Sequence, residues 1–293
     1  MNKSDINSII GIILAILVGV GLGFAGSQGS AVLWGVPTFA LAIIFAYLIQ
    51  WIAFIFSYIN KTEKFYDLTG SLTYISISLF LILTTPNLDK LAVLLFTMVI
   101  IWATRLGTFL FNRVMQAGKD DRFDDIKVDF FRLLMTWTLQ GLWVSFTAAA
   151  AWAAISTTNR VELGVFAVVG FIIWILGYIF ELLSDAQKSA FKANPENKGK
   201  FIQSGLWALS RHPNYFGEII IWIGVAIVAF PVLKGWALIA LISPLWVIAQ
   251  LTLISGIPML EKKADKRWGG QEDYEQYKKN TPVLIPKMLF GKK

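Results

Sequence analysis

The chain has 293 residues, of which 56% are hydrophobic and only 15% charged, with a mean hydropathy of +0.62 and a net charge of +7. Soluble domains carry about a quarter charged residues, so this composition excludes an ordinary soluble fold and points to an integral membrane protein. With no cysteine and one histidine, disulfides, thiolate catalysis and a multi-histidine metal site within one chain are excluded as well.

Taken in chain order, apolar stretches predict eight membrane spans, at 8–26, 33–59, 68–85, 91–112, 131–155, 162–183, 215–230 and 236–258. Ahead of the first, Asp5 offsets Lys3, and only a weak small-residue cleavage candidate follows it, so it reads as a retained helix rather than a signal peptide. The breaks carry Gly, Pro, Asn or charge: "GSQGS", "NKTEKFYD", "TPNLDK", residues 113–130, "STTNR", residues 184–214 and "PVLKG". The seventh span is short and glycine-bearing, which suits a re-entrant or tilted helix. The expected architecture is an all-α polytopic membrane helical bundle with 7–8 transmembrane helices. It is expected to form a single membrane domain over 1–293, with accessory helices at 1–59 and a core at 60–293 that bears cytosolic loops 113–130 and 184–214 and a tail at 259–293.

Eight spans put both termini on one side. Loops on that side hold 22 of the 26 Lys and Arg residues, whereas the opposite loops hold only Lys90, Arg160 and Lys234. The positive-inside rule therefore places both termini in the cytoplasm of a multi-pass protein, with the bacterial inner or cell membrane as the expected location. Topology accounts for most of the basic charge without a nucleic-acid partner.

Charges near a bilayer centre are costly and face protein or a cavity. Arg105, in "IWATRLGTFLFNRV", reads either as a snorkelling side chain or as an interior cation that binds an anion. Asp67 opens the third span as a helix cap or as the head of a face with Gly70, Ser71 and Tyr74, spaced i, i+3, i+4 and i+7. Such a face suits the wall of a polar cavity. Glu181 and Asp185 lie four apart near the end of the sixth span; they repel each other and oppose the helix dipole, so partners are expected unless the helix end is solvated. In "SGLWALSRHPNYFGEIIIWIG", residues 204–224, Pro213 fits a first helical turn. Arg211, His212 and the free amides of that turn then form a seat for an anionic group, with Asn214 and Glu218 able to hold a carboxamide or hydroxyl.

That stretch resembles the signature of the steroid 5-alpha-reductase family, in particular its bacterial branch labelled a domain of unknown function. The wider superfamily includes the sterol C14 reductases and the isoprenylcysteine carboxyl methyltransferases. "GKDDRFDD", "GYIFELLSDAQKSAFK" and "DYEQYKKNTPVLIP" support the resemblance, which covers roughly residues 60–290. It implies a cytoplasm-facing NADPH-dependent oxidoreductase that reduces a carbon–carbon double bond of a lipophilic substrate, with no metal. By motif position, Asp185, Lys192, Arg211, His212, Asn214, Tyr215 and Glu218 would contact NADPH, with Arg105 as a further cation. Arg122 falls where relatives carry a cofactor-binding arginine, although its acidic neighbours also fit a salt-bridged loop. Glu261, Tyr274 and Tyr277 match positions that close over the cofactor.

Hydride reaches the beta carbon of an enone only if charge can build on the carbonyl oxygen, which needs fixed donors in a dry site and an acid to finish the reaction. Relatives use a glutamate and a tyrosine. Here Asp67 takes the glutamate's position, Trp102 falls near the tyrosine's, and Tyr74 is the substitute phenol. A donating Asp67 must be protonated, so Asp67→Asn is expected to keep the fold and lower turnover. Two alternatives use the same residues: an S-adenosylmethionine-dependent lipid or isoprenylcysteine-type methyltransferase, and a catalytically silent sterol- or lipid-binding membrane protein.

Overall fold

The computed structural model describes residues 3–290. It is almost entirely helical. The long helices are α1 (Lys3–Gly26), α2 (Thr38–Asn60), α3 (Tyr66–Thr84), α4 (Lys90–Ala117), α5 (Phe130–Ser156), α6 (Val165–Ala193) and α7 (Pro213–Ala229). With the segment Gly235–Trp268, these give eight helices long and apolar enough to cross a membrane. The protein is thus a multi-pass helical membrane protein, as the hydropathy pattern predicted.

Three boundaries depart from the sequence expectation. The second span starts at Thr38 because Val32–Leu33 (β1) and Val36–Pro37 (β2) pair as a small antiparallel hairpin. Its two-residue turn has Trp34 at φ 53° and Gly35 at φ 78°, the positive values that suit the twist of a tight hairpin. The sixth span runs on to Ala193, so Asp185 and Lys192 are helical rather than part of a long loop. The eighth span is not one helix. It runs as a 3-10 segment over Gly235–Ile242, α8 (Ser243–Ala249), a π turn over Gln250–Ile254 and α9 (Gly256–Trp268). Pro244 and Pro258 bracket these changes of pitch, since proline lacks an amide and crowds the preceding turn.

The chain packs as two compact units. Unit 1 contains the chain up to Val168 together with Val225–Ser243; unit 2 contains Val169–Gly224 and the chain from Pro244 onward. In unit 1, α5 is the central helix, and 89% of its apolar window is buried. Its run Ala148–Ala154 is small except for Trp152, which lets neighbouring backbones approach closely. Three polar side chains inside this bundle are tied off: Gln50 Nε2 donates to Thr73 Oγ1 at 2.7 Å, Trp152 Nε1 to Ser78 Oγ at 3.0 Å, and Tyr47 Oη to the Ala15 carbonyl at 2.7 Å. Without water in the hydrocarbon layer, groups left without such partners would be costly.

In unit 2, α6 and α7 touch backbone to backbone. A Cβ on Gly217 would lie 2.6 Å from the Glu181 amide nitrogen and 2.8 Å from the Gly177 carbonyl. The glycine content of the seventh span therefore serves helix–helix contact. With its short 3-10 extension the segment runs Pro213–Val232, 20 residues and long enough to cross a membrane.

Candidate functional site

The signature segment of unit 2 is held from both sides. Its approach, a short 3-10 turn at Gly205–Ala208, is fixed to α6: Leu206 N donates to Gln187 Oε1 at 2.9 Å, and Trp207 Nε1 donates to the Ser184 carbonyl at 3.0 Å. The tail holds the other side. Arg211 N donates to the Pro282 carbonyl at 2.9 Å, Ser210 Oγ to the Leu284 carbonyl at 2.7 Å, and Lys287 N to the Leu209 carbonyl at 3.0 Å. Pro213 then opens α7 as its first residue, the position expected from the sequence.

Between these anchors, one carboxylate serves two neighbours. Glu261 of α9 accepts from Arg211 Nη1 through Oε2 and pairs with His212 Nε2 through Oε1 at 2.7 Å. His212 is buried at 5% exposure and stacks on Tyr215, with ring centroids 5.7 Å apart and planes 12° from parallel. Burial pushes the imidazole below its usual range despite the pull of Glu261, so the ring is neutral near pH 7. A neutral ring that donates from Nε2 to Glu261 leaves Nδ1 as an acceptor. Nδ1 is buried and has no partner among the described residues, and the same holds for Arg211 Nε, a donor. With the Nε2–H tautomer, the expected anion seat thus offers an acceptor at His212 beside a cationic donor at Arg211.

The other unit 2 residues sort as follows. Glu181 and Asp185 are buried at 2% and 5%, so the alternative of a solvated helix end does not hold. The Gly217 contact places α7 directly against the Glu181 backbone. Asn214, Tyr215 and Glu218 are half-buried in the first turns of α7, and Lys192 is exposed in the last turn of α6. Both tail tyrosines belong to α10 (Glu272–Asn280) and hold internal bonds. Tyr274 Oη donates to Asp265 Oδ1 at 3.0 Å, and Tyr277 Oη donates to the Trp207 carbonyl at 2.7 Å. Ser210, Trp207 and Gln187 escaped the sequence reading, because neutral anchoring groups carry no charge or spacing signal.

Unit 1 holds Asp67, Tyr74, Trp102, Arg105 and Arg122. The face running down from Asp67 is packed rather than open. Gly70 meets Gln140 of α5, Ser71 meets Gly107 of α4, and Tyr74 sits edge-on to Trp102 with centroids 5.1 Å apart. At Gly70 and Ser71 the expected cavity wall is thus a helix-packing face, made possible by small residues. Asp67 is not the cap residue of α3, which is Phe65; its carboxylate lies 3.5 Å from both Arg113 and Arg122. Arg105 is half-buried, with its guanidinium 5.5 Å from the Phe109 ring centre.

Arg122 belongs to a docked loop. It grips Asp120 through Nε at 2.8 and 3.0 Å, while Phe123 inserts beside Tyr66, Leu133 and Trp137. Buried Glu63 completes the anchor, 2.9 Å from Lys127 Nζ and accepting the Asp120 amide at 3.1 Å. Burial raises the Glu63 carboxyl, but these partners outweigh it and hold the group below the usual carboxylate range. Its contribution to stability is therefore full above the ordinary carboxylate pKa and is lost as pH falls through the lower folded value. Lys127→Ala, which strands Glu63, is expected to lower unfolding free energy by about 3 kcal/mol, measured as a fall in Tm at neutral pH.

Fold and site together define a polytopic helical membrane protein with an Arg–His–Glu cluster, its histidine buried, at the mouth of one helix. The chain belongs to the family described as protein of unknown function (DUF1295), whose pattern matches residues 53–281. Among curated proteins it is 35% identical over 94 residues to a probable O-methyltransferase of Ustilaginoidea virens, covering 32% of this chain and 33% of that protein. It is 28% identical over 120 residues to 3-oxo-5-alpha-steroid 4-dehydrogenase 1 of Rattus norvegicus, 41% of each chain. It is 30% identical over 120 residues to Delta(14)-sterol reductase of Arabidopsis thaliana, 36% of this chain and 32% of that one. These matches span from about a third to two fifths of the relatives' own lengths. No solved structure matches. The resemblance read from residues 204–224 and its supporting stretches is borne out at the level of family and superfamily.

Proposed function

We propose that this chain is an NADPH-dependent reductase, embedded in the membrane, acting on a carbon–carbon double bond of a lipophilic enone such as a 3-oxo-4-ene steroid or a related lipid. One observation carries the proposal. At the start of α7, Arg211 and His212 share Glu261 yet keep one buried donor, Arg211 Nε, and one buried acceptor, His212 Nδ1, without a partner among the described residues. A buried polar atom left unpaired costs about 1–3 kcal/mol, and a nucleotide satisfies both at once: phosphate oxygens accept from the guanidinium, and a ribose hydroxyl donates to the imidazole. Asp185, Lys192, Asn214, Tyr215 and Glu218 would complete the seat, with Glu261, Tyr274 and Tyr277 bracing it from the tail. NADPH, when bound, supplies the hydride.

On the substrate side, a ketone oxygen that gathers negative charge needs a donor in a dry setting. Tyr74, buried beside Trp102, is assigned that role because a phenol can donate a hydrogen bond and pass on a proton. Asp67, 3.5 Å from two arginines, is assigned to orient this end of α3. The names of the rat and Arabidopsis relatives support reduction of steroid-like lipids.

The match to a probable O-methyltransferase favours a second reading, methyl transfer from S-adenosylmethionine at the same seat. Purified protein titrated with either nucleotide separates the two, since only a ligand that prefers the native state raises Tm; at 100 Kd the gain is about 2.7 kcal/mol. NADPH is expected to raise Tm, with S-adenosylmethionine inert, and NADPH absorbance is expected to fall when enone lipids are added. The reverse Tm pattern would assign methyl transfer instead.

A further inference from the structure

Unit 1 contains a cavity of about 360 Å³ lined by none of the candidate site residues, within the size range of sites that take a small molecule. Its walls include Ile52, Ala53 and Phe56 of α2, Phe65, Thr62 and, at the base, Trp137 of α5. The side of the cavity at Ile52 and Phe56 is open: these residues are 69% and 52% exposed on a helix that can cross a membrane. Two hydroxyls in the lining are already used, Ser57 by the Thr62 carbonyl and Thr69 by the Phe65 carbonyl. Trp137 is only 1% exposed and belongs to the core cluster, so it closes the slot on the core side.

Charge lies next to the lining residues in the chain: Lys61 precedes Thr62 and Lys64 precedes Phe65, and neither pairs with an acid among the described residues, where the neighbouring Glu63 is taken by Lys127. Lys61 is held at the C-terminal cap of α2 with φ 49°, its Nζ 3.5 Å above the Tyr58 ring. An apolar slot with two cations next to its lining residues Thr62 and Phe65 matches a lipid with an apolar chain and an anionic head. We infer that this cavity seats an acyl chain of an anionic membrane phospholipid, with its phosphate at Lys61 and Lys64.

The full chain is tested in nanodiscs and detergent with phosphatidylglycerol and phosphatidylcholine of matched chains. Native mass spectrometry is expected to show retention of phosphatidylglycerol on the order of thirtyfold over phosphatidylcholine, the effect of two lysines at a membrane surface. In the double variant K61E/K64E, whose substitutions break no ion pair among the described residues, that ratio is expected to fall to parity or below. Phosphatidylglycerol with a photoreactive acyl chain is expected to label residues 49–69 ahead of other lipid-facing helices. Equal retention of the two lipids, an unchanged ratio in the double variant, or labelling spread evenly over the helices overturns the assignment. NADPH binding by the same samples is not required for any of these readouts.

Discussion

Glu261→Ala is expected to weaken NADPH binding at least thirtyfold while leaving helix content unchanged. The carboxylate is the shared partner of Arg211 and His212, and its loss strands a guanidinium and frees an imidazole that it holds in one tautomer. Removing one member of a desolvated, hydrogen-bonded charge pair costs about 2–5 kcal/mol, and a factor of thirty is about 2 kcal/mol. Glu261→Gln keeps the shape and one acceptor oxygen but drops the charge, so it is expected to fall between the wild type and the alanine variant. The pH dependence has a definite sign. Because burial depresses the His212 pKa, its contribution to stability is present above the ordinary imidazole pKa and is lost as pH falls toward the lower folded value. NADPH affinity is expected to follow the same course, because a protonated ring has no acceptor at Nδ1. Calorimetric titration at neutral and mildly acidic pH measures both effects. Unchanged affinity in Glu261→Ala would separate this cluster from the nucleotide.

The same cluster shows what a sequence can and cannot reveal. Arg211, His212 and Pro213 were legible because costly side chains at the mouth of an apolar span need a reason, and proline marks a helix start on its own. Glu261 was placed only by resemblance. It sits far along the chain, beyond the breaks around Pro244 and Pro258, and nothing local says that it returns to His212. Eight apolar spans were plain from hydropathy, yet the hairpin at 32–37 was not, since four ladder residues beside a long apolar run give no period of their own. In the stripe Asp67–Gly70–Ser71–Tyr74, the spacing marked helix packing at Gly70 and Ser71. Small residues on one face announce either a cavity or a close neighbour, and here Gln140 and Gly107 fill the space. The acidic-basic loop hid its anchor for a similar reason: Glu63 lies outside the motif, and the wedge Phe123 is a single aromatic among charges.

Gly217→Ala is expected to destabilise the protein and to abolish NADPH binding, although alanine is the better helix former. In an exposed helix interior that exchange gains about 1 kcal/mol. At Gly217 the new methyl meets the Glu181 amide nitrogen at 2.6 Å, the Gly177 carbonyl at 2.8 Å and Glu181 Cα at 2.9 Å. All three are backbone atoms of one helix, so no side-chain rotation relieves the contact and α6 must move away from α7. Overpacking of this kind costs about 1–3 kcal/mol, enough to reverse the propensity gain. The displacement also separates the helix that carries Glu181 and Asp185 from the one that opens with Asn214 and Glu218. Gly21→Ala in α1, where nothing lies within 4 Å of the new methyl, serves as the control. It is expected to hold or raise Tm with NADPH affinity intact. If Gly217→Ala matches that control in both measurements, the close contact of α6 and α7 does not support the nucleotide seat.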